Sequence, residues 1–213
     1  MSATVFRDAD TFALPGPLGE LLPEGGLRRG RTIRIGHSTA LLLTLLAEVS
    51  RTGAWCAAVR LPSLGVAAAA GAGMNLDRFA LVPAPGESWS TVVGALLDAI
   101  DVVVVAPPGR VPGALARRLS ARARERRAVL LVVGAADAWE GADADLSVVA
   151  STWTGLGIGH GHLQTRTLEV HAAGRRVGGR PRTAHVQLSP SGRVALAHPL
   201  TATSPTNAVA HRS

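Results

Sequence analysis

The sequence predicts an α/β domain: a mostly parallel central sheet with helices on both faces and antiparallel strands along its C-terminal edge. Three observations lead there. Short apolar runs alternate with helical stretches between residues 31 and 134, the β-α alternation that a parallel sheet requires. One run, "DVVVVAPPG", is apolar on both faces, as in a strand with neighbours on each side and helices above and below. After Gly134 the pattern changes to alternating apolar and polar residues separated by turn residues, which suits half-exposed antiparallel strands.

The elements follow in order. Residues 31–36 read as a strand and 39–50 as a helix apolar nearly all round, hence buried. "AWCAAVRL" is a second strand that ends at Pro62, and "SLGVAAAAGAGM" is a helix weakened by its glycines. "RFALVPA" is a third strand, and Ser88 or Ser90 is placed to cap the helix "WSTVVGALLDAI". The apolar run "DVVVV" comes next, then the basic helix "PGALARRLSARARERR" and a fifth strand, "AVLLVVG". "AADAWEGADAD" is an acidic loop, and "LSVVAST", "LQTRTLEVHA" and "RTAHVQLS" are the antiparallel strands. The expected organisation is a lead segment, 1–24, one domain over 25–197, and a tail, 198–213, rich in Thr, Ser, Pro and Asn.

Composition narrows the class. A chain of 213 residues, 47% hydrophobic and 17% charged, can bury one sizeable core and is not a disordered protein. Aromatics are 3% and tyrosine is absent, so the core has to be built from small aliphatic side chains. All 22 basic residues are arginine, a substitution that the codon bias of a GC-rich genome explains. The net charge of +7 favours nucleic acid or an acidic partner without establishing either. A single cysteine, Cys56, excludes an intramolecular disulfide and suits a reducing cytoplasm. Within an apolar strand pattern it reads as a small buried hydrophobe. With no signal-peptide pattern and no apolar run of about 18 residues, a soluble cytoplasmic protein is expected.

The segments "GGLRRGRTIRIG", "LLAEVSRTGAWCAAVR", "NLDRFALVPAPGESWSTVVGALLDAIDVVVVAP" and "RRAVLLVVG" resemble the ATPase core of the RecA recombinase in order and spacing, over residues 25–135. The resemblance implies a RecA-like core, and the sequence departs from it where nucleotide would bind. A phosphate-binding loop has the form GxxxxGK[ST], with backbone amides around the phosphates and a lysine reaching them. Here only His37 and Ser38 separate Gly36 from Thr39. Aligned on the following helix, Thr39 falls on the loop threonine and Ser38 on the lysine, with four loop residues gone. Arg29, Arg31 and Arg34 carry the charge to substitute, but so short a turn has too few amides to wrap an anion. Thr39 is accordingly expected to cap the helix rather than hold magnesium.

The metal-binding aspartate implied at the end of "IDVVVVAP" is Ala106, while Asp101 lies at the opposite end of that strand. The acidic residue implied after the second strand is replaced by Arg60, Leu61, Pro62 and Ser63. Loss of the ammonium, the metal ligand and the base together points to a retired ATPase with no enzyme activity and no cofactor.

Other constellations weigh less. His160 and His162 are spaced as a metal pair on a strand would be, without a Cys, Asp or Glu nearby, and read as a Gly-rich turn. Ser38, Ser63 and His37 lack a nucleophile elbow and a third group. The arginines divide into Arg117, Arg118, Arg122, Arg124, Arg126 and Arg127 on the basic helix, and Arg175, Arg176, Arg180 and Arg182 in a Gly-rich hairpin. They suit either a solvated face or contact with DNA or a protein. The regions matching RecA's DNA-binding loops, "PPGRVPG" and "AADAWEGADAD", are short and the second is acidic, which disfavours filament formation on DNA.

A RecA core without its nucleotide site resembles the actinobacterial ImuA-prime family. That resemblance implies a DNA-damage-induced accessory protein of the mutasome, a scaffold whose partners are the inactive Y-family polymerase homologue ImuB and an error-prone C-family polymerase. Self-association and direct DNA contact stay open. The alternatives are a SulA-like inhibitor of cell division acting on FtsZ, a basic DNA-binding adaptor, and an ATPase with an unconventional site.

Overall fold

The computed structural model describes residues 10–154, 165–177, 180–189 and 194–195. In chain order the elements are β1 (Thr11–Ala13), α1 (Gly16–Glu20), β2 (Gly26–Arg28), β3 (Thr32–Ile35), α2 (Thr39–Arg51), β4 (Cys56–Val59), α3 (Val66–Gly71) and β5 (Phe79–Val82). There follow α4 (Trp89–Leu97), β6 (Val102–Val105), α5 (Gly113–Arg126), β7 (Val129–Val133), β8 (Ala144–Thr154), β9 (Thr165–Ala173), β10 (Arg182–Leu188) and β11 (Val194–Ala195). Nine strands form one sheet in the order β11-β10-β9-β8-β3-β7-β6-β4-β5. From β8 to β5 every pairing is parallel, and from β8 to β11 every pairing is antiparallel.

Strand alternation sorts the interior into two layers. Val102 and Val104 of β6 face the same layer as Ile33, Cys56 and Leu131, beneath the buried leucines of α2. Val103 and Val105 face the other, with Leu130, Val132 and the inner residues of α4 and α5. A run of four valines thus fills both sides of the sheet, as its two-faced apolar character requires. Cys56 is fully buried, and burial, with the nearby Asp101 charge as a smaller cause, pushes its thiol up to about 12. A thiol so placed stays protonated and inert.

Two features differ from the sequence reading. The first concerns the lead segment. Expected as separate from the domain over 1–24, it contributes from residue 10 onward to the core itself. Phe12, Leu14, Leu18, Leu21 and Leu22 are buried in the same layer as α2, and β1 pairs antiparallel with β2 across the expected boundary. The unit is tightly folded: a methyl group on Gly26 would overlap the Phe12 carbonyl. Arg29 also packs its guanidinium over the Phe12 ring, 4.3 Å from the centroid. Short strands and a single-turn helix carry no strong periodicity, so the sequence alone does not mark this unit as part of the core.

The second concerns "LSVVAST". It belongs to an eleven-residue strand, β8, that joins the parallel sheet through β3 before it serves as the antiparallel partner of β9. A register shift between Val148 and Ala150 marks where β8 leaves the core. Leu168, Val170, Ala184 and Val186 continue the α2-side layer across the extension. By alternation, Glu169, His171 and His185 lie on the opposite face, where the Glu169 carboxylate and the His171 ring meet at 3.0 Å. The tail 198–213 and the His160/His162 pair lie outside the described residues.

Leu18 is 1% exposed in the layer beneath α2. Leu18→Ala is expected to lower the unfolding free energy by about 2–5 kcal/mol, the range for truncating a buried leucine, with chemical denaturation as the measurement. An independent lead segment would instead leave stability unchanged.

Candidate functional site

The strands β3, β4, β6 and β7 end at a cleft of about 550 Å³. Ligands of open parallel sheets bind at these carboxyl ends. The polar lining includes His37, Ser38, Thr39, Arg60, Ser63, Arg110 and Asp137, and the apolar wall includes Leu42, Leu61, Leu64, Val133 and Ala138.

The turn from β3 into α2 forms one lip of this cleft. The Gly36 amide donates to Leu146 O at 2.8 Å and the Ser38 amide to Gly36 O at 2.6 Å. Two amides that a longer loop would turn toward an anion are consumed within the fold. Ser38, in extended conformation, is the N-cap of α2, and its Oγ accepts from the Leu41 amide at 3.3 Å. Thr39, expected as the cap, is instead the first helical residue, because the extended backbone that a cap needs falls one position earlier. At α4 the expected cap position is met at Ser88, without a side-chain capping bond, since a short 3₁₀ turn runs directly into the helix.

Ala106 follows β6 at the rim of the cleft, so the strand end carries a methyl group. Asp101 sits at the far end of β6, accepting from Arg29 Nη1 at 2.8 Å and from the Trp55 amide at 2.9 Å. The three arginines with charge to spare are engaged elsewhere. Arg29 is held by Asp101, and Arg31 lies 3.5 Å from Glu24 and 3.5 Å from Asp143. Arg34 is buried, with Nε paired to Asp145 and Nη1 donating to Gly134 O at 3.0 Å.

Two lining residues have features that the sequence alone does not reveal. Arg60 follows β4 in the left-handed region, with φ of 60°, and its Nε is buried with no hydrogen-bond partner among the described residues. A non-glycine residue held there costs about 1–3 kcal/mol. The signal available was position alone, since φ is not written in the sequence. Asp137, counted only as part of an acidic loop, brings one carboxylate to the cleft. Trp139 of that loop is buried against α5 with Nε1 3.3 Å from Ser120 Oγ, while Asp137 stays exposed at the rim. Among the described residues no group of three or more His, Cys, Asp or Glu is arranged to hold a metal ion.

The arginine clusters do not line this cleft, although Arg175 shares the adjoining hollow with Arg110 and Asp137, and they are partly neutralised. Arg122 grips both carboxylate oxygens of Asp98, and Arg126 shares the same group at 3.0 Å. The hydrogen bond from Arg122 is the largest cause holding the Asp98 carboxyl below its ordinary value. Arg127 caps α5 in left-handed conformation and pairs with Asp10 at 2.5 Å. Arg117, Arg118 and Arg124 are exposed on α5. Arg176 lies 3.8 Å from Asp143, Arg182 donates to Glu20 O at 2.9 Å, and Arg175 and Arg180 are exposed.

A nine-stranded sheet with helices on both faces and a cleft at the ends of β3, β4, β6 and β7 defines a RecA-like core. The crystal structure of the RadB recombinase matches it with a TM-score of 0.55 over 80% of this chain and 93% of that one, at 16% identity. The chain belongs to the family described as the MT3502 N-terminal domain, whose profile matches residues 20–141. It is also 35% identical over 136 residues to Rv3395c of Mycobacterium tuberculosis, described as an uncharacterized protein. That alignment covers 62% of this chain and 66% of the relative, so the chain spans just under two thirds of that protein's length. No helix among the described residues is long and apolar enough to cross a membrane.

Asp145 neutralises a guanidinium that is 8% exposed at the middle of the sheet. Breaking a fully buried pair costs ~3–5 kcal/mol. Because Asp145 is itself partly exposed, Asp145→Asn is expected to cost about 2 kcal/mol. Urea denaturation measures it, and a loss below about 0.5 kcal/mol, as for an exposed pair, would contradict the assignment.

Proposed function

We propose that this protein is a non-catalytic accessory protein of the DNA-damage response, a RecA-like core that serves as a scaffold in translesion synthesis. The observation that carries the reading is the state of the cleft: a two-residue turn whose Ser38 amide is bonded back to Gly36 O, beside a strand followed by Ala106. Phosphoryl transfer depends on electrostatic stabilisation by a metal and a cation at the phosphates, and the lining offers no grouped carboxylates to hold the metal. A rigid sheet without that chemistry still presents its outer helices to other proteins. The partners proposed are an ImuB-like inactive polymerase homologue and an error-prone C-family polymerase, from the resemblance to the ImuA-prime family. Cytoplasmic residence fits the single cysteine, buried and inert.

Two measurements test this. Titration of the full chain with fluorescent ATP is expected to show no Mg²⁺-dependent binding in the micromolar range, and tight Mg²⁺-dependent binding would make it an ATPase with an unconventional site. Deletion of the gene followed by DNA damage is expected to abolish induced mutagenesis while division stays normal. Altered division with intact mutagenesis would support a SulA-like inhibitor in its place.

A further inference from the structure

We infer that the cleft at the ends of β3, β4, β6 and β7 is a metal-independent receptor for a compact oxyanion, a phosphomonoester or a carboxylate, carried on a small apolar body. The inference goes beyond the scaffold reading and survives or fails separately from it.

Arg60 is the starting point. Its backbone is in a conformation that glycine adopts freely, and its Nε is buried without a partner among the described residues. Both features are unfavourable, both fall on one residue, and that residue lines the cleft. Unfavourable backbone geometry persists where the surroundings enforce it, and it gathers at ligand sites. Arg60 brings a guanidinium to the cleft lining, and arginine's fork matches the paired oxygens of carboxylate or phosphate.

The remaining lining fits the same chemistry. Arg110 adds a second guanidinium from the segment after β6, and Ser63 adds a hydroxyl from the segment after β4. Ser38 accepts its helix-capping bond through Oγ, which leaves its hydroxyl proton available to donate. It stands at the N-terminus of the thirteen-residue α2, the positive end of that helix. Asp137 is the opposing charge, one carboxylate against two guanidinium groups. The size of the ligand is limited from two sides. The short turn cannot wrap a triphosphate, and the apolar wall of Leu42, Leu61 and Val133 favours a ligand with an uncharged body. The residue at the position of the metal aspartate is Ala106, so recognition rests on guanidinium and hydroxyl donors.

Thermal unfolding of the full chain tests this with millimolar inorganic phosphate, phenyl phosphate, benzoate and Mg²⁺-ATP, each against sodium chloride at matched ionic strength. Phosphate, phenyl phosphate or benzoate is expected to raise the midpoint with or without EDTA. A larger shift with phenyl phosphate than with benzoate identifies the phosphomonoester, and the reverse order the carboxylate. Arg60→Gly keeps the backbone conformation, so it is expected to fold with an unchanged or higher midpoint and to lose the ligand response. Arg110→Gln is expected to weaken binding about tenfold, the loss of one charge-assisted hydrogen bond. Asp137→Asn is expected to strengthen it. The inference is overturned if no anion shifts the midpoint beyond chloride, if Arg60→Gly and Arg110→Gln respond as the wild type does, or if the shift requires Mg²⁺.

Discussion

The structure depends on Arg34. Its strand, β3, lies between the parallel core and the antiparallel extension, and it is joined to β8 by only three residue pairs. A guanidinium in that position must find partners inside the protein, because leaving it unpaired costs more than the fold can spare. It finds the Gly134 carbonyl at the end of β7 and the Asp145 carboxylate on β8, the neighbours on its two sides. One side chain therefore ties the end of β3 to the end of β7 and to the start of β8. Thr32 repeats the pattern lower on β3, donating its amide to Asp143 and its hydroxyl to Ser120 of α5.

This clamp also shapes the cleft. Gly36 follows directly on β3 and its amide is bonded to Leu146 of β8, so the chain is held to the sheet until the residue before the helix turn. The helix then starts with no intervening loop, capped by Ser38. Where a longer loop would have lined its amides around an anion, the Gly36 and Ser38 amides are bonded within the fold. The cleft remains at the strand ends, and its charged lining comes from side chains, the strained Arg60 with Arg110 and the opposing Asp137.

The surface arginines show why composition misleads. A charge of +7 suggests a field strong enough to draw nucleic acid. Several of the cations on α5 are bound to carboxylates from elsewhere in the chain, Asp98 taking two of them and Asp10 a third. Those arginines serve as ties between elements before they serve as contacts for anything outside. Arg117, Arg118, Arg124, Arg175 and Arg180 remain exposed, on the basic helix and on the hairpin.

The layered architecture was legible in residues 31–134, because apolar period and length are local properties: a run such as Val102–Val105 can only lie buried on both faces, and a helix such as Thr39–Arg51 can only lie beneath a sheet. The shortness of the turn after Gly36 and the methyl of Ala106 were legible too, being matters of residue count and identity. The N-terminal hairpin was not, since strands of three residues and a helix of five are stabilised by contacts with the core rather than by their own pattern. Nor were the partners of Arg34, the left-handed backbone of Arg60 or the entry of Asp137 into the cleft. Each depends on residues brought together from distant points of the chain, or on a torsion angle that neighbours impose. Sequence by itself determined which segments form layers, while the tertiary structure alone decided which charges are spent on holding the layers together and which are left facing the cleft, because a charge is committed only when folding supplies its partner.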